Sequence, residues 1–294
     1  MIVRSAYERF RRTRLKHWVS RTFFQRPDHG AALWTLTPPD DRPSIDVLRL
    51  GACEWQEMNG CHTVTAPAGY PRYMAEELSR HGVGFGFQNI FVWNLEDFPS
   101  EHTLVKRRRR TGGRPPDVIL LQVGGWVAMR HVFGFGHRIV ALRENFSRWV
   151  GPAIWPIHWV IVQLLRWFGR GMPEQSTQPL EEFVRLLRTL WPQSRIVIMQ
   201  PWRDGLEGAF DEARLERVSA ALRDAAERLG CEWLPAPDFG PGRRLRCSNG
   251  FNLNEAGSRF AGARYADWLL DRCMPADRRP GQPRSGAAEP ARAR

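Results

Sequence analysis

The sequence predicts a three-layer α/β/α protein with a central, mainly parallel, five-stranded sheet. Short apolar runs bounded by turn residues alternate with amphipathic helical segments, which is the order found in a parallel sheet with crossover helices. The runs are apolar almost throughout, as in PDVILLQVGG at 116–125, and strands covered by helices on both faces have that composition. The 294 residues, with 13 Trp and 16 Phe, suffice for one large domain with a substantial core.

Each predicted element has a local reason. Gly82 and Gly230 end two helices, because glycine readily adopts the left-handed conformation that closes many helices. A basic segment at 1–26 has the character of a further helix. The predicted strands are 45–53, 85–94, 116–125, 194–202 and 231–237, and the predicted helices are 70–82, 181–191, 211–230 and 254–271.

These elements divide the chain into three parts. Residues 1–43 form a basic N-terminal extension that ends in a Pro-rich linker, and residues 44–274 form the α/β domain. Within that domain, 132–177 is a long insertion, rich in Trp and Phe, that we expect to overhang the site as a lid. Residues 275–294 are rich in Pro, Arg, Gly and Ala without an apolar run, so we expect a disordered tail.

The net charge of +12 arises from 43 Lys and Arg against 31 Asp and Glu. The excess lies in the N-terminal segment, in KRRRR at 106–110 and in the tail. Basic runs bind nucleic acid or anionic membranes, but solvated loops are their ordinary form. No aromatic-basic motif accompanies them, which argues against nucleic acid and leaves open a weak contact with an anionic membrane surface. The apolar segment 153–169 is shorter than a spanning helix and predicts a buried, lid or interfacial helix.

The five cysteines favour neither disulfides nor metal binding. Their number is odd and no CxxC occurs, which argues against a disulfide framework and a zinc site. FGFGH at 133–137 lacks the lysine and the glycine spacing of a phosphate loop, so no cofactor is predicted. The basic N-terminus is not followed by the apolar stretch of a signal peptide, so we expect a cytoplasmic location.

In a parallel sheet, functional residues gather at the carboxyl ends of the strands. Here four segments at or after strand ends, in this order, resemble the four sequence blocks of the SGNH hydrolases, also called the GDSL esterase/lipase superfamily, whose fold is a flavodoxin-like three-layer α/β sandwich. The resemblance covers 45–270. The four segments are Gly51-Ala52-Cys53, Asn89 to Asn94, Gly124-Gly125-Trp126, and Asn249 to Asn252 followed by Leu253 to Gly257.

The resemblance implies a role for each position. Cys53 stands at the position of the nucleophilic serine, and Asn249 and Asn252 stand at the positions of the acid and the base. The pocket and oxyanion region that the resemblance implies comprises Gly51, Ala52, Asn89, Asn94, Gly124, Gly125 and Trp126.

The replaced residues change the expected chemistry. An amide does not titrate, so Asn252 cannot accept a proton and Asn249 cannot supply the orienting charge. Loss of the whole relay costs about a millionfold in rate, so ordinary serine esterase activity is not expected. Cys53 is either a reactive thiol or a small residue that fills the place of the serine. Proton acceptors for such a thiol would come from Glu54, Glu57, His62, His131 or His137.

Two functions follow from this pattern. The first is an enzyme of changed chemistry (acyl transfer, cyclisation or tailoring) that acts on a small hydrophobic acyl or ester-type molecule. The second is a non-catalytic pseudoenzyme that binds a ligand or a protein partner. Trp55, Trp93 and Trp126, together with the insertion, predict an aromatic pocket, which suits a hydrophobic ligand in either case.

Overall fold

The computed structural model describes most of the predicted domain. The described residues are 33–36, 43–51, 69–92, 95, 98–110, 114–124, 130–131, 160, 163–164, 167–168, 170–171, 176–201, 211–238, 253 and 255–273. The predicted N-terminal helix, the tail and most of the insertion lie outside these ranges, and those assignments stay predictions.

Five parallel strands form the centre of the sheet, as predicted. The order in the six-stranded sheet is β1-β3-β2-β4-β7-β8, and only the edge strand β1 runs antiparallel to its neighbour. A separate pair, β5 with β6, is antiparallel. The strands are β1 Leu33–Leu36, β2 Ser44–Gly51, β3 Gly84–Phe91, β4 Val118–Gln122, β5 Arg130–His131, β6 Arg170–Gly171, β7 Arg195–Met199 and β8 Glu232–Leu234.

Helices cover both faces of the sheet, which confirms the three-layer prediction. On one face, Met74 of α1 and Tyr265 of α5 pack against Val47 and Val197. On the other face, α2, α3 and α4 pack against the strand residues of opposite parity, such as Leu48 and Leu50. The helices are α1 Tyr70–Arg80, α2 Glu101–Arg110, α3 Gln178–Leu190, α4 Glu212–Leu229 and α5 Glu255–Cys273.

The sequence did not predict β1 or α2. β1 lies inside the segment assigned to the N-terminal extension, where four residues carry too short a pattern to distinguish a strand from a loop. α2 contains the basic run 106–110, and its charge alone predicts a solvated loop. It is helical because arginine and lysine are good helix formers and because Leu104 and Arg108, four residues apart, both face the protein.

Arg108 fixes α2 to the sheet. Its Nη2 donates to Asp46 Oδ2 at 2.6 Å and its Nη1 donates to Gln88 Oε1 at 3.1 Å. The Arg108 side chain is 4% exposed and the Asp46 side chain 18%, so the ion pair is largely removed from solvent. One arginine of the basic run is therefore structural, which the count of charges could not reveal.

The helices α1 and α5 cross in close contact at Gly262. A Cβ added there would lie 2.6 Å from Tyr73 Cβ and 2.7 Å from the Tyr70 carbonyl oxygen. In an open helix, alanine would be favoured over glycine by about 1 kcal/mol, but overpacking costs about 1–3 kcal/mol. The nearest atoms are a Cβ and a backbone oxygen, which cannot swing away, so we expect a cost in the upper part of that range. Gly262→Ala should therefore lower the free energy of unfolding by about 1–2 kcal/mol in urea titrations. Stabilisation by this substitution would contradict the close crossing.

The residues just before the predicted insertion at 132–177 pair with residues near its end. Arg130 aligns with Gly171 and His131 with Arg170, so the chain leaves and returns at one place. Inside the insertion, Val160, Leu164, Trp167 and Phe168 are helical and are 48%, 42%, 71% and 66% exposed. No helix in the described part of the chain is long and apolar enough to cross a membrane.

Candidate functional site

Three neighbouring strands end together at the carboxyl edge of the sheet. Gly51 at the end of β2 aligns with Phe91 of β3 on one side and with Gln122 of β4 on the other. The amide nitrogen of Val92 continues this pairing by donating to the Gly51 carbonyl at 3.1 Å. Three of the four segments that carry the resemblance therefore begin at one edge.

Several predicted site residues lie outside the described ranges. The structure describes Gly51, Asn89 and Gly124, and it also describes Leu253, which is buried beside the core of the α1 and α5 face. Their proposed roles in catalysis or binding stay predictions. The residues that are not described are Ala52, Cys53, Asn94, Gly125, Trp126, Asn249 and Asn252.

Position 51 requires glycine because atoms of β4 and of Arg49 lie too close to leave room for a side chain. A Cβ there would lie 2.8 Å from the Gln122 carbonyl oxygen and 3.0 Å from both Gln122 Cβ and Arg49 Nη2. The first contact is with backbone of the neighbouring strand, which cannot move without breaking the sheet. The glycine that opens the Gly-Ala-Cys segment is therefore fixed by packing, whatever chemistry follows it.

A buried polar network lies directly beneath this edge. Arg49, which is 0% exposed, donates from Nε to Gln122 Oε1 and from Nη1 to Asn89 Oδ1, both at 2.8 Å. The hydroxyl of Tyr70, the first residue of α1, donates to the same Gln122 oxygen at 3.0 Å. The Arg49 guanidinium carbon also lies 5.7 Å from the centroid of the Tyr70 ring, within the range of cation–π contacts. One cation thus joins β2, β3 and β4 near their carboxyl ends to the start of α1.

This network gives Asn89 a definite contact. The resemblance places Asn89 in the oxyanion region, and the structure shows its side-chain oxygen accepting a hydrogen bond from Arg49 in a buried position, 4% exposed. The amide is thereby oriented, with its oxygen turned to the cation. The sequence reasoning missed Arg49, Gln122 and Tyr70. A signal existed, because a charged residue inside the apolar run IDVLRLG must find partners when the strand is buried.

Gly124 marks the place where β4 leaves the sheet. Its φ of +88° lies in the region that favours glycine. An added Cβ would lie 3.1 Å from Leu222 Cδ1 and 3.3 Å from Val218 Cγ1, so α4 passes close above this point. The resemblance predicted a glycine here, and the structure supplies a conformational and a steric reason for it.

The two described cysteines carry no sign of activation. Burial raises the pKa of the Cys231 thiol, and burial raises the pKa of the Cys273 thiol to about 11 from its ordinary 9.0. Both thiols therefore remain protonated at neutral pH and are poor nucleophiles there. Within the described ranges, no cluster of three or more His, Cys, Asp or Glu side chains is placed to hold a metal ion.

The raised pKa of Cys273 predicts slow alkylation. At pH 8 the thiolate fraction of Cys273 is about a hundredfold smaller than that of a thiol with a pKa of 9. A thiolate of higher pKa is the stronger nucleophile, which offsets part of this difference. The net reaction is therefore about tenfold slower. We expect iodoacetamide to label Cys273 about tenfold more slowly in the folded chain than in the urea-unfolded chain, by peptide mass spectrometry. Because the pKa is raised on folding, the associated stability is present below pH 9 and is lost as pH rises towards 11. Equal rates in both states would refute the assignment.

The solved structures to which this chain is similar include several lipases and esterases at low sequence identity. No protein-family model matches the chain, and no curated protein matches it. Solved structures similar to it include the lipase/acylhydrolase from Enterococcus faecalis, at 9% identity and TM-score 0.47, covering 77% of this chain and 95% of that one. The Clostridium thermocellum family 3 carbohydrate esterase is similar at 11% identity and TM-score 0.47, covering 78% and 96%. The extracellular lipase from Streptomyces rimosus is similar at 14% identity and TM-score 0.42, covering 76% and 99%. At such identities and scores, no activity transfers from these proteins to this chain.

Proposed function

We propose that this chain is a divergent SGNH-type protein that binds and processes a small hydrophobic acyl or ester-type molecule at the carboxyl edge of its sheet. The observation that carries the proposal is the joint ending of β2, β3 and β4 at Gly51, Phe91 and Gln122, immediately before the segments that resemble the family's blocks. The parallel strand order β3-β2-β4-β7-β8, with helices on both faces, fits the same family.

The processing step that we propose uses the thiol of Cys53 rather than a serine relay. Covalent geometry limits the Cα of Cys53 to about 7.6 Å from the Cα of Gly51, since only two peptide bonds separate them. Arg49 Nη2 would lie 3.0 Å from a Cβ at Gly51, so a fixed cation lies close to the start of this segment. A nearby positive charge favours a thiolate, and a thiolate needs a general base less than a hydroxyl does.

Acyl transfer to this thiolate is chemically complete without a cofactor. The sulfur attacks the carbonyl carbon of a thioester or activated ester, and a new carbon–sulfur bond forms. The bond to the leaving thiol or alcohol breaks, and the leaving group takes up the proton that Cys53 released to solvent. Transfer of the acyl group to an acceptor, or internal cyclisation, then regenerates the thiol.

Intact-mass spectrometry tests this proposal. The wild-type chain and Cys53→Ala are exposed in parallel to an octanoyl thioester and to a fluorophosphonate. We expect an octanoyl adduct that is absent from Cys53→Ala, and no fluorophosphonate adduct. Binding of octanoyl compounds without any adduct would instead support the pseudoenzyme alternative, in which the same edge holds a ligand. A fluorophosphonate adduct would contradict the loss of the serine mechanism.

The exposed apolar residues of the insertion favour a second proposal, about the partners of the chain. We propose that Val160, Leu164, Trp167 and Phe168 contact an anionic bilayer surface, with basic side chains elsewhere supplying attraction. The four positions are spaced by four, three and one residues, so at helical geometry they share one side. Exposed Trp and Phe are typical of membrane-interface contacts, and the net charge of +12 complements anionic lipid. The cationic face of α2, which lines a cavity of about 380 Å³ with His102, Val105, Lys106 and Arg109, is one source of that charge.

Vesicle sedimentation distinguishes this proposal from its alternatives. The chain should sediment with vesicles containing phosphatidylglycerol but not with pure phosphatidylcholine vesicles. The double variant Trp167→Ser, Phe168→Ser should lose most of that binding, and Lys106→Gln with Arg109→Gln should weaken it and reduce its salt dependence. Undiminished sedimentation of the Ser double variant would contradict the membrane assignment.

A further inference from the structure

Arg214 is a buried cation whose side chain the fold leaves incompletely bonded. It lies in the first turn of α4 and is only 9% exposed. Its Nε is buried and has no hydrogen-bond partner within the described part of the chain. Burying part of a guanidinium without a partner is costly, and such a group in a native fold requires an explanation.

The other buried arginines of the described core show what a structural arginine looks like here. Arg49 uses Nε and Nη1 on Gln122 and Asn89. Arg108 uses Nε on the Arg114 carbonyl and its terminal nitrogens on Asp46 and Gln88. In both, the Nε donor is engaged by a protein acceptor, whereas the Nε of Arg214 is not.

The position of Arg214 in the fold is at the functional edge. Val218 and Leu222 lie on the side of α4 that passes over Gly124, where β4 leaves the sheet. Arg214 is one turn nearer the helix N-terminus on the same side, about 6 Å along the axis from Val218. Since α4 runs from the carboxyl edge back towards the start of β8, Arg214 lies on the carboxyl-edge side of Val218 and Gly124.

The preference for an anion rests on the guanidinium of Arg214, because the carboxylates of Asp211 and Glu212 already lie at the positive N-terminal end of α4. The helix has 18 residues, and its macrodipole places partial positive charge at its first turn. Asp211 caps the helix by accepting from the Arg214 amide at 3.1 Å, so this backbone donor is bonded whereas the Nε of the same residue is not. A guanidinium offers a planar fork that fits two oxygens of a carboxylate or a phosphate.

We propose that Arg214 binds the anionic group of the ligand at this edge, so that the ligand class is an amphiphile with an apolar chain and a carboxylate or phosphate group. The proposal deepens the proposed function, on which it rests for the apolar chain and for the location of the ligand. The anion completes the hydrogen bonding of Arg214, and binding relieves the cost of a partly bonded buried cation.

Calorimetric titration of the full chain tests this inference. The probes are octanoate, octyl phosphate, 1-octanol and inorganic phosphate. The variants are Arg214→Met, which keeps bulk without charge, Arg214→Lys, which keeps charge without the fork, and Arg217→Met, an exposed matched control on the same helix. Urea midpoints of all variants are measured in the absence of probe.

We expect octanoate or octyl phosphate to bind the wild type and to lose at least tenfold in affinity in Arg214→Met. Arg214→Lys should retain part of the affinity, and Arg217→Met and the binding of octanol should be unchanged. The tighter of the two anionic amphiphiles identifies the anion. The urea midpoint of Arg214→Met should equal or exceed that of the wild type, because the substitution removes a partly bonded buried charge.

The contrary outcomes separate this inference from the proposed function. Equal binding of the anionic probes to wild type and Arg214→Met, or no binding of either to the wild type, would overturn the role of Arg214. If the anionic probes give either of these results but octanol binds all the variants, the proposed function stands without a role for Arg214. If inorganic phosphate binds through Arg214 as tightly as octyl phosphate, the anion site stands and the acyl ligand falls. A lowered urea midpoint of Arg214→Met with unchanged affinity would mark Arg214 as structural and overturn the inference.

Discussion

Replacing Arg49 by alanine is expected to lower the free energy of unfolding by about 3–5 kcal/mol. The substitution removes the donor that the buried Asn89 Oδ1 now has at 2.8 Å, and it leaves the buried Gln122 Oε1 with the Tyr70 hydroxyl alone of its two donors. An unsatisfied buried polar group costs about 1–3 kcal/mol, and the cavity left by the long side chain adds to this. Urea unfolding followed by tryptophan fluorescence measures the loss.

Arg109→Ala is the matched control, since Arg109 is an exposed arginine of α2. Exposed substitutions of this kind change stability by about 0.5 kcal/mol or less. Arg49→Lys should fall between the two, because an ammonium keeps the charge but cannot reach both acceptors in the geometry of the guanidinium fork. Arg49→Ala and Arg109→Ala of equal stability would show that the network beneath the edge contributes nothing to the fold.

Gly51→Ala is expected to destabilise the protein by about 2–3 kcal/mol and to perturb the functional edge. The new methyl group would lie 2.8 Å from the Gln122 carbonyl oxygen, which belongs to a central strand and cannot yield locally. Overpacking of this kind typically costs about 1–3 kcal/mol. The strain falls on the β2–β4 pairing and on Arg49, so any ligand affinity at the edge should fall with the stability.

Gly86→Ala provides a close comparison in the neighbouring strand. There the nearest atom to an added Cβ is Asp46 Cγ at 3.4 Å, an ordinary contact. A glycine in a strand interior is weakly unfavourable, so this substitution should be neutral or slightly stabilising. Similar destabilisation of Gly51→Ala and Gly86→Ala in thermal unfolding would indicate a general cost in the sheet rather than close approach at position 51.

The central strands were predictable because burial on both faces produces an unmistakable composition. VILLQ at 118–122 is buried at every position, and its four consecutive apolar residues are typical of a strand that helices cover on both faces. The helices α3 and α4 were predictable for a related reason, since each places apolar residues at helical spacing on one side. The predicted strands end later than the observed ones. The predicted ends were placed at the next turn residues, whereas the observed ends lie where hydrogen bonding to the neighbouring strand stops.

The rest depended on contacts between residues far apart in the chain. Arg49 and Gln122 are 73 positions apart, and only the parallel register of β2 and β4 brings them together. Arg108 reaches Asp46 across 62 positions, and without that contact its segment reads as a run of surface charge. The same limit applies to Arg214, because its burial follows from the packing of α4 rather than from its neighbours in sequence.

The network bears on the chemistry that we propose for this edge. Gly51 stands at the glycine of the first segment of the resemblance, and two residues earlier Arg49 lies inside the sheet and donates to Asn89. In the function that we propose, Asn249 and Asn252 replace the titrating relay, and a site with a fixed cation beneath it would suit a polarised or negatively charged group. It is less suited to activating a hydroxyl, which needs a base. This electrostatic character is common to the enzyme and pseudoenzyme alternatives.

Protection of Cys53 from alkylation is the measurement that tests the proposed ligand site most directly. The full chain is treated with iodoacetamide at pH 8 with and without octanoate, octyl phosphate or octanol, and each cysteine is followed by peptide mass spectrometry. A ligand site at the carboxyl edge predicts that at least one of these compounds slows labelling of Cys53 severalfold and leaves the slow labelling of Cys273 unchanged. Unprotected labelling of Cys53 at saturating concentrations of all three, or equal slowing at both cysteines, would contradict a ligand site at this edge.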